Sequence, residues 1–162
     1  MKIAAADSAR HGLPAASIEL DVAQAAMWGQ VFPGEGVYLN LSGPPGGPLG
    51  LALVAYEGIA DAAALEEFAA KRFAGDTYVR KGPGTVELAG RSRVAFTCGR
   101  GQSLARSTHL LALIPVKEGA DSGVLVDFCV GTQRELLTPA EVMKLERLGA
   151  GGVLGSLRVR FE

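Results

Sequence analysis

Few side chains in this sequence could do covalent or metal chemistry, so each can be weighed singly. The 162 residues hold two cysteines, Cys98 and Cys129, and two histidines, His11 and His109. A thiol beside an imidazole is a nucleophile with its base, and Cys129 and His109 are the pair to test. In the strand register derived below, Cys129 faces Leu111. His109 is then its diagonal neighbour, about 7–8 Å away between backbones. Asp127 sits further along the strand than a residue that orients the imidazole should. No helix N-terminus is in place to lower the thiol pKa. The reading is therefore two ordinary sheet residues, with alkylation of Cys129 following a free-thiol pKa. A small thiol enzyme or redox sensor is the alternative.

Other chemistry is thinner. Positions 11, 98, 109 and 129 show no metal-ligand spacing, and Cys98 is expected on the opposite face from Cys129, so no metal and no disulfide is expected. The run Gly149-Ala150-Gly151-Gly152-Val153-Leu154-Gly155 looks like a nucleotide loop, but it follows a helix instead of a strand and there is no Walker lysine. It reads as a helix stop. Arg80, Lys81, Arg91, Arg93, Arg100 and Arg106 form a basic run without interleaved aromatic residues, which suits solvated strand ends better than nucleic acid. No catalytic residue and no cofactor are expected.

The elements that must carry these residues follow from periodicity. Ser17–Val22, Val37–Ser42 and Leu49–Tyr56 read as strands, with a Gly-Pro turn at Gly43–Pro48. Trp28 and Phe32 read as core anchors. Leu65, Phe68, Ala69 and Phe73 then fall on one helical face, with Asp61 as N-cap and Gly75 as the stop. Strand patterns return at Thr77–Lys81, Thr85–Leu88, Ser92–Cys98, Ala105–Val116 and Gly123–Gly131, spaced as an antiparallel meander. Thr138-Pro139-Ala140-Glu141 is a capping box with proline at the first helical position, and Val142, Leu145 and Leu148 supply the buried stripe. Leu157–Phe161 is either a last strand or a helical tail. The expectation is an α+β fold, an antiparallel meander with two amphipathic helices packed on one face, in the order β-β-β-α-β-β-β-β-α, as a single domain spanning residues 1–162.

Hydrophobic matching then assigns register. With Lys117–Gly123 as a connection, Ile114 faces Val126, Ala112 faces Phe128 and Leu110 faces Val130. With Gly99–Ser103 as the previous one, Cys98 faces Leu104 and Phe96 faces Arg106. The even-numbered face, with Val94, Phe96, Cys98, Leu110, Ala112, Ile114, Val124, Val126, Phe128 and Val130, is a core face for both helices. The odd-numbered face is mixed. It carries Arg93, Thr97, His109, Leu111, Leu113, Leu125, Asp127 and Cys129, which fits a surface covered by a partner. Alternatively, other parts of the chain fold over it as a second core.

Composition limits the partners. Apolar residues make up 48% and charged residues 20%, a globular balance. The net charge of −1 supplies no field toward nucleic acid or anionic membrane. The longest uncharged apolar run, Leu49–Tyr56, is far short of the roughly 20 residues of a spanning helix. No secretory signal is read at the N-terminus, and two free thiols without a CxxC suit a reducing compartment, so a cytoplasmic location is expected.

The order of elements over residues 17–162 resembles the PsbP-like α/β superfamily, as do Val86-Glu87-Leu88-Ala89-Gly90 before the meander and the closing Leu154-Gly155-Ser156-Leu157-Arg158. That group includes photosystem extrinsic proteins, a Ran-binding import factor, DcrB-like proteins and chaperones of type VI secretion effectors. The resemblance implies a protein that binds other proteins and has no active site. The functional expectation is a non-catalytic interaction module, adaptor or chaperone with a protein partner. A self-assembling subunit, such as a homodimer, is a third reading.

Overall fold

Alternating and doubly apolar strand segments from Val37 onward build the frame of the molecule. The computed structural model describes residues 2–3, 7–8, 12–21, 29–31, 36–43, 49–73, 78–99, 106–149 and 152–162. Its elements are β1 (Lys2–Ile3), β2 (Ala16–Glu19), β3 (Gly29–Val31), β4 (Val37–Ser42), β5 (Leu49–Glu57), α1 (Ala62–Arg72), β6 (Val79–Leu88), β7 (Arg91–Gly99), β8 (Arg106–Pro115), β9 (Ser122–Gln133), α2 (Pro139–Gly149), α3 (Val153–Ser156) and β10 (Arg158–Phe161). His11, Trp28, Phe32, Pro44–Pro48, Gly75, Arg100 and Leu104 lie outside the described residues.

The fold is α+β. A seven-stranded antiparallel sheet has the order β3-β4-β5-β9-β8-β7-β6, and a three-stranded one the order β1-β2-β10. The meander β6–β9 is present. Thr77–Lys81 and Thr85–Leu88, read as two strands, belong to one, because β6 passes the Gly82-Pro83 turn as a bulge and keeps pairing with β7. The C-terminal ambiguity resolves as a strand, with β10 pairing with β2.

The two helices divide between the faces of the large sheet instead of sharing one. One face carries Leu39, Leu41, Leu51, Leu53, Val86, Leu88, Ala95, Leu110, Ala112, Ile114, Val124, Val126 and Phe128. It is covered by Ala16, Ile18 and Leu20 of the small-sheet region, Val142 of α2, and Val153, Leu154 and Leu157. The other face carries Tyr56, Phe96, Cys98, Leu111 and Leu125 beneath Leu65 and Ala69 of α1. Each fully buried Leu or Phe is worth roughly 1.5–3 kcal/mol, so both clusters contribute to holding the chain together. The first is the major face and the second the minor face.

Local signals explain the helices. Asp61 Oδ1 accepts from the Ala64 N–H at 2.8 Å and caps α1, whose Leu65, Phe68, Ala69 stripe packs down with Phe73 at its end. The capping box of α2 is closed in both directions, with the Thr138 N–H donating to Glu141 Oε2 at 2.7 Å and the Glu141 N–H to Thr138 Oγ1 at 3.2 Å. The buried stripe of α2 differs from expectation. Leu145 and Leu148 are 38% and 76% exposed, and Pro139, Val142 and Glu146 face inward. Glu146 wins the inner position because its carboxylate accepts from the Leu154 N–H at 2.7 Å and ties α2 to α3.

Register departs from the sequence reading in two places. In β8–β9, Ile114 faces Val124, Ala112 faces Val126 and Leu110 faces Phe128, a slide of two residues that leaves every side chain on its expected face. In β7–β8, Cys98 faces His109 and Phe96 faces Leu111. That shift is odd-numbered and exchanges the faces of β7. Phe96 and Cys98 join the minor face, while Ala95 and Thr97 join the major one. Apolar matching could not decide, since Ala95 and Thr97 are small enough for a core as well.

Candidate functional site

The exchange of register assembles a row across three strands on the minor face. Cys98 on β7, His109 on β8 and Cys129 on β9 lie side by side, and Gly50 on β5 continues the row. His109 and Cys129 are direct partners, not diagonal ones, and Asp127 faces Leu111 one step along the same side. His109 Nδ1 lies 2.7 Å from Asp127 Oδ1 and its Nε2 3.6 Å from Cys129 Sγ. Ser107 Oγ approaches Nε2 at 3.4 Å. Asp127 is thus the orienting residue that the sequence reading missed.

The end of α1 completes this arrangement. Arg72 reaches Asp127 Oδ2 at 3.7 Å. The Phe73 ring stacks on the His109 ring with centroids 4.7 Å apart and planes tilted 51°, with the Arg72 guanidinium 5.9 Å from the Phe73 centroid. Asp127 is buried and its charge lies between the imidazole and the guanidinium. Burial opposes a charge on His109, but its hydrogen bonds to Asp127 and Cys129 outweigh this and push its pKa up to about 9. The two thiols differ. Cys98 is fully buried, and burial, aided by the Asp127 charge, pushes its thiol up to about 12. Cys129 is half-buried. Both are free thiols, as expected, although they share a face. The third strand between them keeps them apart.

The eight residues expected on one contact face are redistributed. Leu111, Leu125 and Asp127 are buried on the minor face beneath α1, so the apolar centre of the supposed surface is a second core. Thr97 is buried on the major face, where its hydroxyl donates to the Leu137 carbonyl. His109 and Cys129 form the polar cluster just described. Arg93 and Leu113 border a different feature, a fork in the sheet.

That fork opens where β7 and β8 part. Their pairing runs from Ala95–Ala112 to Cys98–His109, while Arg91–Val94 stays paired with β6 alone. A groove of about 260 Å³ lies between the strands, the start of α1 and the β8–β9 turn, lined by Tyr56, Ile59, Leu65, Val94 and Leu113. Val94 is 51% exposed. Two polar atoms in the wall, the Tyr56 hydroxyl and Arg93 Nε, are buried without a hydrogen-bond partner. Burial pushes the Tyr56 hydroxyl up to about 12, so it stays a neutral donor. Arg93 and Arg91 both hold Glu118, at 3.2 and 2.7 Å, and Arg80 holds Glu66 at 3.1 Å. These basic residues are matched by acids. Among the described residues no cluster of three or more metal-ligating side chains occurs, and no helix is long and apolar enough to cross a membrane.

No protein-family model and no curated protein matches the sequence. Among solved structures the fold is similar to that of LpqN from Mycobacterium tuberculosis, described as involved in cell envelope biogenesis. The TM-score is 0.54 at 14% sequence identity, covering 99% of this chain and 90% of that one. At that identity the likeness is one of fold.

Proposed function

We propose that this protein is a non-catalytic interaction module, an adaptor or chaperone, that takes a segment of a protein partner into the fork between β7 and β8. The observation that carries this reading is the groove itself: exposed Val94 and half-buried Leu113 beside two buried, unpartnered donors, Tyr56 Oη and Arg93 Nε. An extended segment with one aliphatic side chain and a carboxylate or backbone carbonyl would fill the apolar part and accept from both donors. Strand addition is a recurrent way for a sheet to bind a peptide, with backbone bonds giving affinity and a side-chain pocket giving choice. The surface is thereby moved from the centre of the minor face, which α1 covers, to its open end.

Membership in the PsbP-like and DcrB-like group, whose element order this chain resembles, belongs to the same proposal, as does a cytoplasmic location. Panning a displayed random-peptide library on the folded protein tests the reading. Enrichment of sequences pairing an aliphatic with an acidic residue, lost with Val94→Asp and with Arg93→Ala, is the expected result. No enrichment, or the same peptides on both variants, would overturn it. Size-exclusion at rising concentration separates a foreign partner from a second copy: self-association abolished by Val94→Asp would identify the occupant as this chain.

A further inference from the structure

The Cys129 cluster lies outside the fork. It holds a half-buried sulfur within 3.6 Å of an imidazole nitrogen, and the other ring nitrogen is fixed at 2.7 Å by a buried carboxylate. The ring cannot turn away, because Phe73 packs on it and Arg72 holds the far oxygen of Asp127. Among the described residues, those beside Cys129 on the β5 side of its strand are small. Gly50 and Ala52 on β5 face Cys129 and Asp127, and Asn40 and Ser42 on β4 face Ala52 and Gly50. A Cβ at Gly50 would lie 3.9 Å from the Cys129 Cβ, so the glycine leaves a methyl-sized gap directly beside the thiol. Gly50, Ala52 and Asn40 are half-buried and Ser42 is exposed. Small, partly exposed neighbours suit a small electrophile.

We propose that Cys129 is a peroxide-reactive thiol, oxidised to a sulfenic acid by a small hydroperoxide with His109 as the proton donor. The proton shared by Sγ and Nε2 is on the nitrogen when the sulfur attacks the terminal peroxide oxygen. The S–O bond forms and the O–O bond breaks. The departing oxygen takes the Nε2 proton and leaves as water or an alcohol. Sulfur is oxidised and the peroxide reduced, with no other reactant. A peroxide asks only for a nucleophile and a proton donor, whereas acyl transfer would also ask for donors to an oxyanion. Asp127 is a positioning residue that keeps the charged ring aimed at sulfur. Cys98 does not resolve the product. It stands two strand spacings away, roughly 9–10 Å, against the ~7 Å limit for a disulfide between α-carbons. The sulfenic acid is therefore returned by an external thiol, and the site is a reversible mark, separate from the fork.

The test is oxidation of the wild-type protein with stoichiometric hydrogen peroxide at pH 7, in the presence of a dimedone probe and followed by peptide mass. Adduct is expected on the Cys129 peptide and not on the Cys98 peptide, at a rate at least about tenfold above that of free cysteine. His109→Gln and Asp127→Asn should each lower that rate about tenfold while melting cooperatively. A wild-type rate no faster than free cysteine overturns the proposal, as does an equal rate in both folded variants. If either variant fails to fold, the wild-type rate and the Cys129-to-Cys98 ratio decide. Acceleration of iodoacetamide labelling without acceleration by peroxide also overturns the assignment to hydroperoxides.

Discussion

The two faces of the seven-stranded sheet bury side chains by different rules. The major face is closed by a second sheet and by α2 with α3, and apart from the buried Thr97 and Thr108 its centre is apolar from Leu39 to Phe128. Among the described residues the minor face is covered by α1, over Phe96, Leu111 and Leu125. Beyond each end of that helix it changes character. Past the N-terminal end it becomes the fork with Tyr56, Val94 and Leu113, and past the C-terminal end the cluster of His109, Asp127 and Cys129. One eleven-residue helix cannot span a face of this size, and the polar side chains of the minor face gather at the two ends that α1 does not reach. Within the described residues, both candidate sites lie where α1 ends.

The largest expected effect separates neighbours on β8. Ile114→Asp places an unpaired charge in the major face and should cost several kcal/mol of a total near 5–15, enough to unfold the protein in a thermal melt. Leu111→Asp should do the same from the minor face. Leu113→Asp, at the half-buried fork, should leave a cooperative melt. If Leu113→Asp unfolds the chain as badly as Ile114→Asp, the fork is core and the contrast between covered and uncovered ends is lost.

The next effect is specific to the minor face and depends on pH. His109 has a folded pKa near 9 against about 6.5 for an unfolded histidine. A raised value means the stabilisation is fully present below about pH 6.5 and is lost as pH rises through 9. It is worth on the order of 2–3 kcal/mol. Urea unfolding at pH 6 and pH 9.5 should show that loss in the wild type and little of it in Asp127→Asn.

Two smaller effects belong to α2 on the major face. Thr138→Ala opens the capping box and should cost about 1 kcal/mol in denaturant unfolding. Glu146→Gln should act the other way. Burial raises the Glu146 pKa, against the Leu154 N–H bond and the Arg147 charge, so ionisation works against the native state above the ordinary carboxylate range. The amide keeps an acceptor for Leu154, and the melting temperature at pH 7 should rise slightly, with no gain at pH 4.

What was legible in the sequence was local. The capping box at Thr138, the stripe of α1 and the strand runs of β5, β8 and β9 identify their elements because each signal is complete within a few residues. The minor-face cluster was not legible, because it depends on register. The β8–β9 hairpin turns at Lys117–Ala120, whose ends are joined by the Ala120 N–H to the Lys117 carbonyl at 3.0 Å, with Gly119 at φ 81°. Centring the connection on that glycine instead of on Ala120 gives the observed pairing. A second signal was available: Asp127 is an acid in an otherwise apolar strand, and a buried carboxylate demands a partner. On β8, the polar residue next to the run Leu110, Leu111, Ala112 and Leu113 is His109, and it supplies one partner. The parity of β7 had no such marker.

The pairing of β2 with β10 joins residues 16–19 to residues 158–161. Closing a loop of that size costs roughly 4 kcal/mol of chain entropy, recovered only after Ile18 and Leu157 meet over the sheet. During synthesis β2 is made early and must wait for β10, leaving Ala16, Ile18 and the strand facing them as exposed apolar surface while the meander forms. The long sheet can therefore assemble first and the small sheet close over it last. Folding intermediates of this chain should bind hydrophobic dyes and be captured by holdase chaperones until residue 161 has left the ribosome.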